Sequence, residues 1–272
     1  MDREARKLSG AWINKDGFTL IELLVVMAMI SLLLATLLPA LGAAKRQVQC
    51  VACKAQLRNI AVAWRAYLDD YDDYFYQGLN ANHNFGGWKG EGGYGFFRPL
   101  NKYLGLPSMV EVPEGAEKFL CPADEGGVIG LSPEQRAFHY FGNSYQANFF
   151  VIGPDRVGVP PGHYQVLHTQ VNRRLARIRS AQVDDPSHLL LAGDNNWINQ
   201  WYPFIPETFL PANMDWHGRK GHYNMTFLDG RVELVKIERG VYVAPNKYRI
   251  LPFRELDYLA YAVQQRTAGG TN

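Results

Sequence analysis

Three groups of residues in this chain carry side chains that could do chemistry. One acidic residue, Glu22, lies inside an apolar run over residues 18–41. Three cysteines, Cys50, Cys53 and Cys121, could pair with one another or bind a metal. The 7 histidines and 26 acidic residues add proton carriers and metal ligands. What each group can do depends on the elements that position it.

These residues do not form a familiar catalytic motif. The sequence contains no nucleophile elbow, HExxH motif, P-loop or dinucleotide-binding fingerprint. Gly90, Gly92 and Gly95 approach GxGxxG, but no strand pattern precedes them and no Lys-Ser/Thr follows. We therefore expect a protein that is not an enzyme and holds no cofactor. The net charge of +2 gives no indication of nucleic-acid binding.

The apolar run is long enough to cross a membrane, since about 20 apolar helical residues span a bilayer. Positive residues precede it: Arg3, Arg6, Lys7 and Lys15. Positive charge before a first span holds that end in the cytoplasm, so the chain after the run is expected on the other side. A secretory signal cleaved within residues 40–44 is the alternative, although its apolar core is usually shorter.

Glu22 is the only charged residue in the run. A carboxylate in hydrocarbon is costly unless it is paired or neutralised, so an intramembrane Glu suggests a function. Because Glu22 is near the start of the span, its side chain could instead extend to the membrane interface.

The residues around Glu22 resemble the processing site of type IV prepilins and of type II secretion pseudopilins. Those sites have a Gly, a Phe, three residues, a Glu and an apolar stretch, and Gly17, Phe18 and Glu22 match them. Pro39 lies where pilins commonly carry a helix-bending proline. The resemblance implies cleavage between Gly17 and Phe18 and methylation of the new Phe18 amino group. It also implies that Glu22 neutralises this amine on a neighbouring subunit and thereby sets the axial register.

The resemblance also implies partners and a location. The partners are prepilin peptidase, other pilin or pseudopilin subunits, the inner-membrane assembly machinery and membrane lipid. The chain would cross the inner membrane once, with its head in the periplasm or, after assembly, in an extracellular filament. We expect a structural subunit of a type IV pilus or a secretion pseudopilus. The alternative is a displayed adhesin head whose aromatic loops around Trp88 and residues 197–201 bind extracellular ligands.

We predict an α+β protein in which a long N-terminal helix packs against a C-terminal antiparallel β-sheet head, as in pilins. Leu57, Ile60, Ala61, Trp64 and Leu68 recur at three- and four-residue spacing and indicate one buried helix face. The predicted segments are a cleavable leader (1–17), a transmembrane or filament-core helix (18–41), an extended spine helix (42–73), a globular head (74–263) and a disordered tail (264–272).

An acidic tract is predicted to end the spine helix, because carboxylates at a helix C-terminus oppose its dipole. The tract contains Asp69, Asp70, Asp72 and Asp73. Four carboxylates so close together could bind calcium, as some secretion pseudopilins do, but their spacing does not match an EF-hand loop. A solvated helix end is the simpler interpretation.

The head shows several short strand patterns, at residues 145–152, 188–192, 224–228 and 231–235. Asp229-Gly230 between the last two is a strong hairpin signal and predicts a two-stranded ribbon over residues 225–235. Residues 194–197 follow a predicted strand and could form a surface loop that binds a ligand, although turns at strand ends commonly have this composition. Short helices are predicted at 175–180 and 254–264.

Parts of the head resemble large-headed pilin-like proteins whose C-terminal domain is named for a His, nine residues and Asp-Gly. The similar residues are Cys53, Gln56-Leu57-Arg58, Phe119 to Pro122, Gly142 to Tyr145, His217-Gly218 and Asp229-Gly230. The spacing differs, since 11 residues separate His217 from Asp229 and 6 separate His222 from it. In physical terms, His217 and Gly218 would shape the turn that enters the hairpin.

The cysteines allow several states. Export to an oxidising compartment favours a disulfide between Cys53 and Cys121, which would join the head to the spine helix. Cys50–Cys121 pairing and free thiols are the alternatives. Cys50-x-x-Cys53 also occurs in redox and metal motifs, but no second cysteine pair is available for zinc, so no metal site is expected.

Overall fold

The computed structural model describes residues 19–78, 81–92, 97–152, 170–171, 173–201, 207–258 and 260–261. They form one long helix, a four-stranded antiparallel sheet, a two-stranded sheet and several short helices. The α+β prediction is confirmed. The chain divides into two compact units, with the boundary between Lys45 and Arg46. The predicted leader and tail lie outside the described residues.

Helix α1 extends over Leu20–Asp70 and contains Pro39. The apolar side chains of its first part are exposed, from Leu20 at 79% to Leu41 at 67%. By length and composition this part of α1 could cross a membrane. An apolar surface of this extent needs lipid or other protein around it.

The second part of α1 contributes one face to the core of the second unit. Leu57, Ile60 and Trp64 on this face are almost fully buried, which confirms the predicted apolar stripe. Trp64 packs against Phe85 with ring centroids 5.7 Å apart. Arg58, on the opposite face, is exposed. Full burial of a large apolar side chain contributes about 2 kcal/mol, so this face is a major source of stability.

The larger sheet has its four strands in chain order, and each neighbouring pair is antiparallel. The strands are β1 (Tyr145–Ala147), β2 (Leu190–Asp194), β3 (His222–Phe227) and β4 (Val232–Lys236). All five residues of β2 are buried, whereas β4 has exposed positions. The smaller sheet pairs β5 (Val243–Ala244) with β6 (Tyr248–Arg249).

Strand β1 is shorter than the predicted strand at residues 145–152. Beyond Ala147 the side chain of Asn148 makes hydrogen bonds that would compete with a continued ladder. Its Nδ2 donates to the carbonyl oxygens of Leu190 and Ile250, each at 2.8 Å. Its Oδ1 accepts from the Phe150 N–H at 3.0 Å, which closes a turn.

Strands β3 and β4 form the predicted hairpin, with Met225 opposite Glu233 and Thr226 opposite Val232. The Gly230 N–H donates to the Phe227 carbonyl at 3.0 Å. Gly230 has φ +89°, so it provides the left-handed residue that follows the turn.

Long loops of the head are held together by a buried arginine. Arg98 is 1% exposed and donates to the carbonyl oxygens of His83, Gly86 and Phe141, each at 2.8 Å. Burial lowers the pKa of Arg98 to about 9. Charge-assisted hydrogen bonds to three carbonyls offset part of the cost of burying this cation.

Next to this arginine, two loops approach so closely that a side chain would not fit. Gly142 ends helix α2 (Ala137–Phe141) with φ +87°. Its carbonyl accepts a hydrogen bond from the Trp88 N–H at 3.0 Å. A Cβ at position 142 would lie 1.8 Å from the Trp88 carbonyl oxygen.

We expect Gly142→Ala to lower the free energy of unfolding by about 2–4 kcal/mol, because it adds a backbone clash to left-handed strain. Gly130→Ala is the matched control, since Gly130 has φ +84° but nothing within 4 Å of a Cβ. The free energy of unfolding of this control should fall by only about 1 kcal/mol. Denaturant unfolding of the detergent-solubilised chain, followed by tryptophan fluorescence, measures both. Equal losses would contradict the close packing at Gly142.

Candidate functional site

The described part of the N-terminal motif begins with a capping box at the start of α1. The Thr19 N–H and hydroxyl donate to Glu22 Oε2 at 2.9 and 2.8 Å. The Glu22 N–H donates to the Thr19 hydroxyl at 3.2 Å. These bonds satisfy N–H groups that helix geometry leaves free. Within the described chain, Oε1 of Glu22 accepts no hydrogen bond. Gly17 and Phe18 lie outside the described residues.

A second group of functional side chains lies in the core of the second unit. Cys53, Cys121, Asp194 and His217 are all buried, and their ligand atoms lie within 4.8 Å of one another. The Cys53 thiol donates to Asp194 Oδ1 at 2.9 Å. His217 Nε2 lies 2.9 Å from Asp194 Oδ2 and 3.9 Å from Cys121 Sγ. We refer to these four residues as the Cys-Asp-His cluster.

The four residues of the cluster lie on four separate segments of the chain. Cys53 lies on the buried face of α1, and Asp194 is the last residue of β2. Cys121 follows a short 3₁₀ helix at Glu117–Phe119. His217 lies in a turn before β3 that the Gly218 N–H closes by donating to the Asp215 carbonyl at 3.0 Å. His217 and Gly218 both lie in this turn, and sequence reasoning missed the cluster that His217 joins.

Polar neighbours surround the cluster. The Asn224 N–H donates to Asp194 Oδ2 at 2.7 Å, and Asn224 Nδ2 lies 2.8 Å from His217 Nε2. The Tyr145 hydroxyl lies 3.4 Å from Cys53 Sγ. His217 Nδ1 is buried and has no hydrogen-bond partner among the described residues.

The surroundings shift the pKa values of the cluster. Burial raises the pKa of the Cys53 and Cys121 thiols, and the negative charge of Asp194 acts in the same direction. Burial by itself would lower the pKa of His217, but the Asp194 carboxylate outweighs it and raises this pKa to about 11. His217 Nε2 and Asp194 Oδ2 are thus close enough for an ion pair beside two buried thiols.

The three cysteines are free thiols in the structure. The Cys53 and Cys121 sulfurs nevertheless share the cluster, so the pair favoured by the sequence does meet. Cys50 is only half-buried and lies outside the cluster, where its thiol donates to Asn224 Oδ1 at 3.5 Å. The Cys53–Cys121 bond itself stays a prediction.

The acidic tract does not converge on one point. Helix α1 ends at Asp70, within the acidic tract. Asp69 forms an ion pair with Arg65, and Asp70 with Lys102. Asp73 accepts hydrogen bonds from a neighbouring 3₁₀ helix. In the part of the chain that the structure describes, the only grouping with metal-site spacing is the Cys-Asp-His cluster.

Two predicted surface features are buried. Residues 194–197 include the turn at the end of β2, but a surface ligand loop there is wrong, because Trp197 is 0% exposed and donates from Nε1 to the Gln146 carbonyl at 3.0 Å. The Asn195 N–H in this turn donates to the Ser144 carbonyl at 2.9 Å, so this backbone group is paired inside the core. Trp88 is 5% exposed. Neither tryptophan offers a surface platform for a ligand.

Comparison with known proteins identifies the N-terminal segment. A family model described as prokaryotic N-terminal methylation motif matches residues 12–38, which include Gly17, Phe18 and Glu22. This segment is type IV pilin-like, and the motif indicates a prepilin-like substrate of prepilin peptidase. Among the described residues, one helix is long and apolar enough to cross a membrane, and this helix and the motif are consistent with a membrane-anchored protein.

No curated protein and no solved structure matches the chain. The resemblance of the head to the pilin-like proteins named for a His, nine residues and Asp-Gly therefore stays a prediction.

The burial of the cysteines predicts their reactivity. In the native, reduced chain we expect iodoacetamide to alkylate Cys50 at least about tenfold faster than Cys53 or Cys121, because a buried thiol is rarely accessible or ionised. Peptide mass spectrometry of a labelling time course measures the three rates. After unfolding in denaturant the three rates should become similar. Equal rates in the native state would contradict the described burial.

Proposed function

We propose that this chain is a structural subunit of a type IV pilus or of a type II secretion pseudopilus. One observation carries the proposal. The methylation motif, matched over residues 12–38, includes most of the helical stretch whose apolar side chains are exposed over residues 20–41. In the precursor this surface lies in the inner membrane, with the head in the periplasm. In the assembled filament it contacts the corresponding helices of other subunits.

The proposal includes the processing step and the partners. Prepilin peptidase cleaves between Gly17 and Phe18 and methylates the Phe18 amino group, and the inner-membrane machinery then adds the subunit to a filament. The chain is thus the substrate of an enzyme and not a catalyst. The adhesin alternative loses support, because Trp88 and Trp197, which it needed at the surface, are buried.

Glu22 has two functions in this proposal. Within the subunit, its Oε2 accepts both hydrogen bonds from Thr19 and fixes the start of α1. Between subunits, the carboxylate neutralises the methylated Phe18 amine of a neighbour in a low-dielectric surrounding. A buried charge without its partner is costly, so a single axial stagger of the subunits is favoured.

Mass spectrometry of the mature chain tests the processing step. We expect the N-terminal peptide to begin with N-methylated Phe18, because the apolar run starts there and the resemblance to prepilin processing sites implies cleavage after Gly17. A mature chain that begins near Ala44 would indicate a secretory signal instead. A chain that keeps Met1 would contradict processing altogether.

A pair of substitutions separates the charge of Glu22 from its capping function. Gln can accept the same capping hydrogen bonds, so Glu22→Gln preserves the helix start and removes the charge. We expect this variant to be cleaved and inserted normally, but to enter sheared filaments about tenfold less or worse, because the neighbouring amine is left unpaired. Thr19→Ala is the converse variant: it weakens the cap by about 1 kcal/mol and keeps the carboxylate.

Thr19→Ala should therefore assemble nearly as well as the unmodified chain. Immunoblots of the membrane and sheared-filament fractions measure cleavage, insertion and incorporation for each variant. Normal incorporation of Glu22→Gln would show that the charge is dispensable. A loss of assembly in Thr19→Ala as severe as in Glu22→Gln would assign Glu22 a local capping function only.

A further inference from the structure

We propose that the Cys-Asp-His cluster binds one Zn²⁺ ion and that this site stabilises the head. The inference does not rest on the proposed assembly function. It starts from the donor set, since two sulfurs, an imidazole nitrogen and a carboxylate oxygen are the atoms that bind zinc in proteins. Cys53, Cys121, Asp194 and His217 supply these four donors within 4.8 Å of one another.

The spacing of the donors is close to that of a filled tetrahedral site. Zinc bonds of about 2.0–2.3 Å place neighbouring ligand atoms about 3.3–3.8 Å apart in a tetrahedron. Cys121 Sγ and His217 Nε2 are 3.9 Å apart. Cys53 Sγ and Asp194 Oδ1 are 2.9 Å apart, as are His217 Nε2 and Asp194 Oδ2. Shifts of about half an ångström would bring these pairs to ligand spacing.

Several polar atoms compete for the single bonding position of His217 Nε2. His217 Nε2 has polar atoms of Asp194, Asn224 and Cys121 at 2.9, 2.8 and 3.9 Å. A ring nitrogen has either one hydrogen or one lone pair, so it makes one good bond and not three. The nearest neighbour, Asn224 Nδ2, is itself a donor and opposes a hydrogen on Nε2. A cation between the four donors uses the Nε2 lone pair and removes this conflict.

The surroundings fit a metal site. Metal-binding carboxylates are usually held by further hydrogen bonds, and the Asn224 N–H donates to Asp194 Oδ2 at 2.7 Å. All four ligand residues are buried. Four protein ligands in a closed pocket are typical of structural zinc, whereas catalytic zinc keeps a position open for water. Two sulfurs disfavour calcium and magnesium, which prefer oxygen ligands.

Because of the position of the cluster in the fold, a bound ion would hold several segments of the chain together. Its ligands come from α1, the segment after Phe119, the end of β2 and the turn before β3. One ion would therefore connect the helix to the sheet and to two loops. A Cys53–Cys121 disulfide would connect only two of these four segments. Because a metal binds the folded site and not the unfolded chain, its binding energy stabilises the fold.

The test uses the full chain, purified in detergent without chelators under reducing conditions. We expect inductively coupled plasma mass spectrometry to find about one zinc per chain. Replacement of zinc by Co²⁺ should give the strong visible bands of a tetrahedral site and a sulfur-to-cobalt charge-transfer band. This readout on the unmodified chain tests the site even if a ligand variant fails to fold. Removal of the metal should lower the melting temperature, and adding zinc back should restore it.

The chain itself provides matched controls. Cys53→Ser, Cys121→Ser and His217→Gln should reduce bound metal to background. Cys50→Ser, one helical turn from Cys53, and His222→Gln, close to His217 in the chain, should keep both the zinc and the cobalt spectrum. The proposal is overturned if the unmodified chain takes up neither metal, if chain isolated without reductant shows a Cys53–Cys121 disulfide in non-reducing peptide maps, or if either control variant loses the metal.

Discussion

Burial of one face of α1 is the constraint on which the second unit depends. From Cys53 to Leu68 this face contributes Leu57, Ile60 and Trp64 to the same apolar core that contains the β-strands. The face begins with a polar contact, where the Cys53 thiol meets the carboxylate of Asp194 at the end of β2. A substitution that weakens this face therefore affects the apolar core and the Cys-Asp-His cluster together.

The head compensates for its limited regular structure with buried polar side chains. Arg98 donates to three loop carbonyls, and Asn148 connects β2 to the smaller sheet region. Asp124 accepts hydrogen bonds from the Phe138 N–H and the Ser144 hydroxyl. Backbone groups that lack a helix or strand partner need such bonds when they are buried. Long loops can then form part of the core.

The two candidate sites, at Glu22 and at the Cys-Asp-His cluster, suit different kinds of contact. The charge of Glu22 suits a contact with another subunit, while its capping bonds with Thr19 stabilise the helix on which it lies. The Cys-Asp-His cluster is enclosed and suits an internal connection between segments of one chain. If both proposals hold, the N-terminal helix supplies the contacts between subunits and the zinc site stiffens the head that each subunit carries.

The sequence by itself determined the features that depend on neighbouring residues. The apolar run with Glu22, the periodic stripe on α1 and the Asp229-Gly230 hairpin could all be predicted, because helix period and turn chemistry act over a few residues. The capping box is likewise a local feature, with Thr19 and Glu22 three residues apart in the sequence. Tertiary structure alone decided that residues 194–197 are buried and that Cys53, Cys121, Asp194 and His217 meet. Their convergence depends on how α1, β2 and two loops pack, and no local pattern encodes contacts between segments so far apart in the chain.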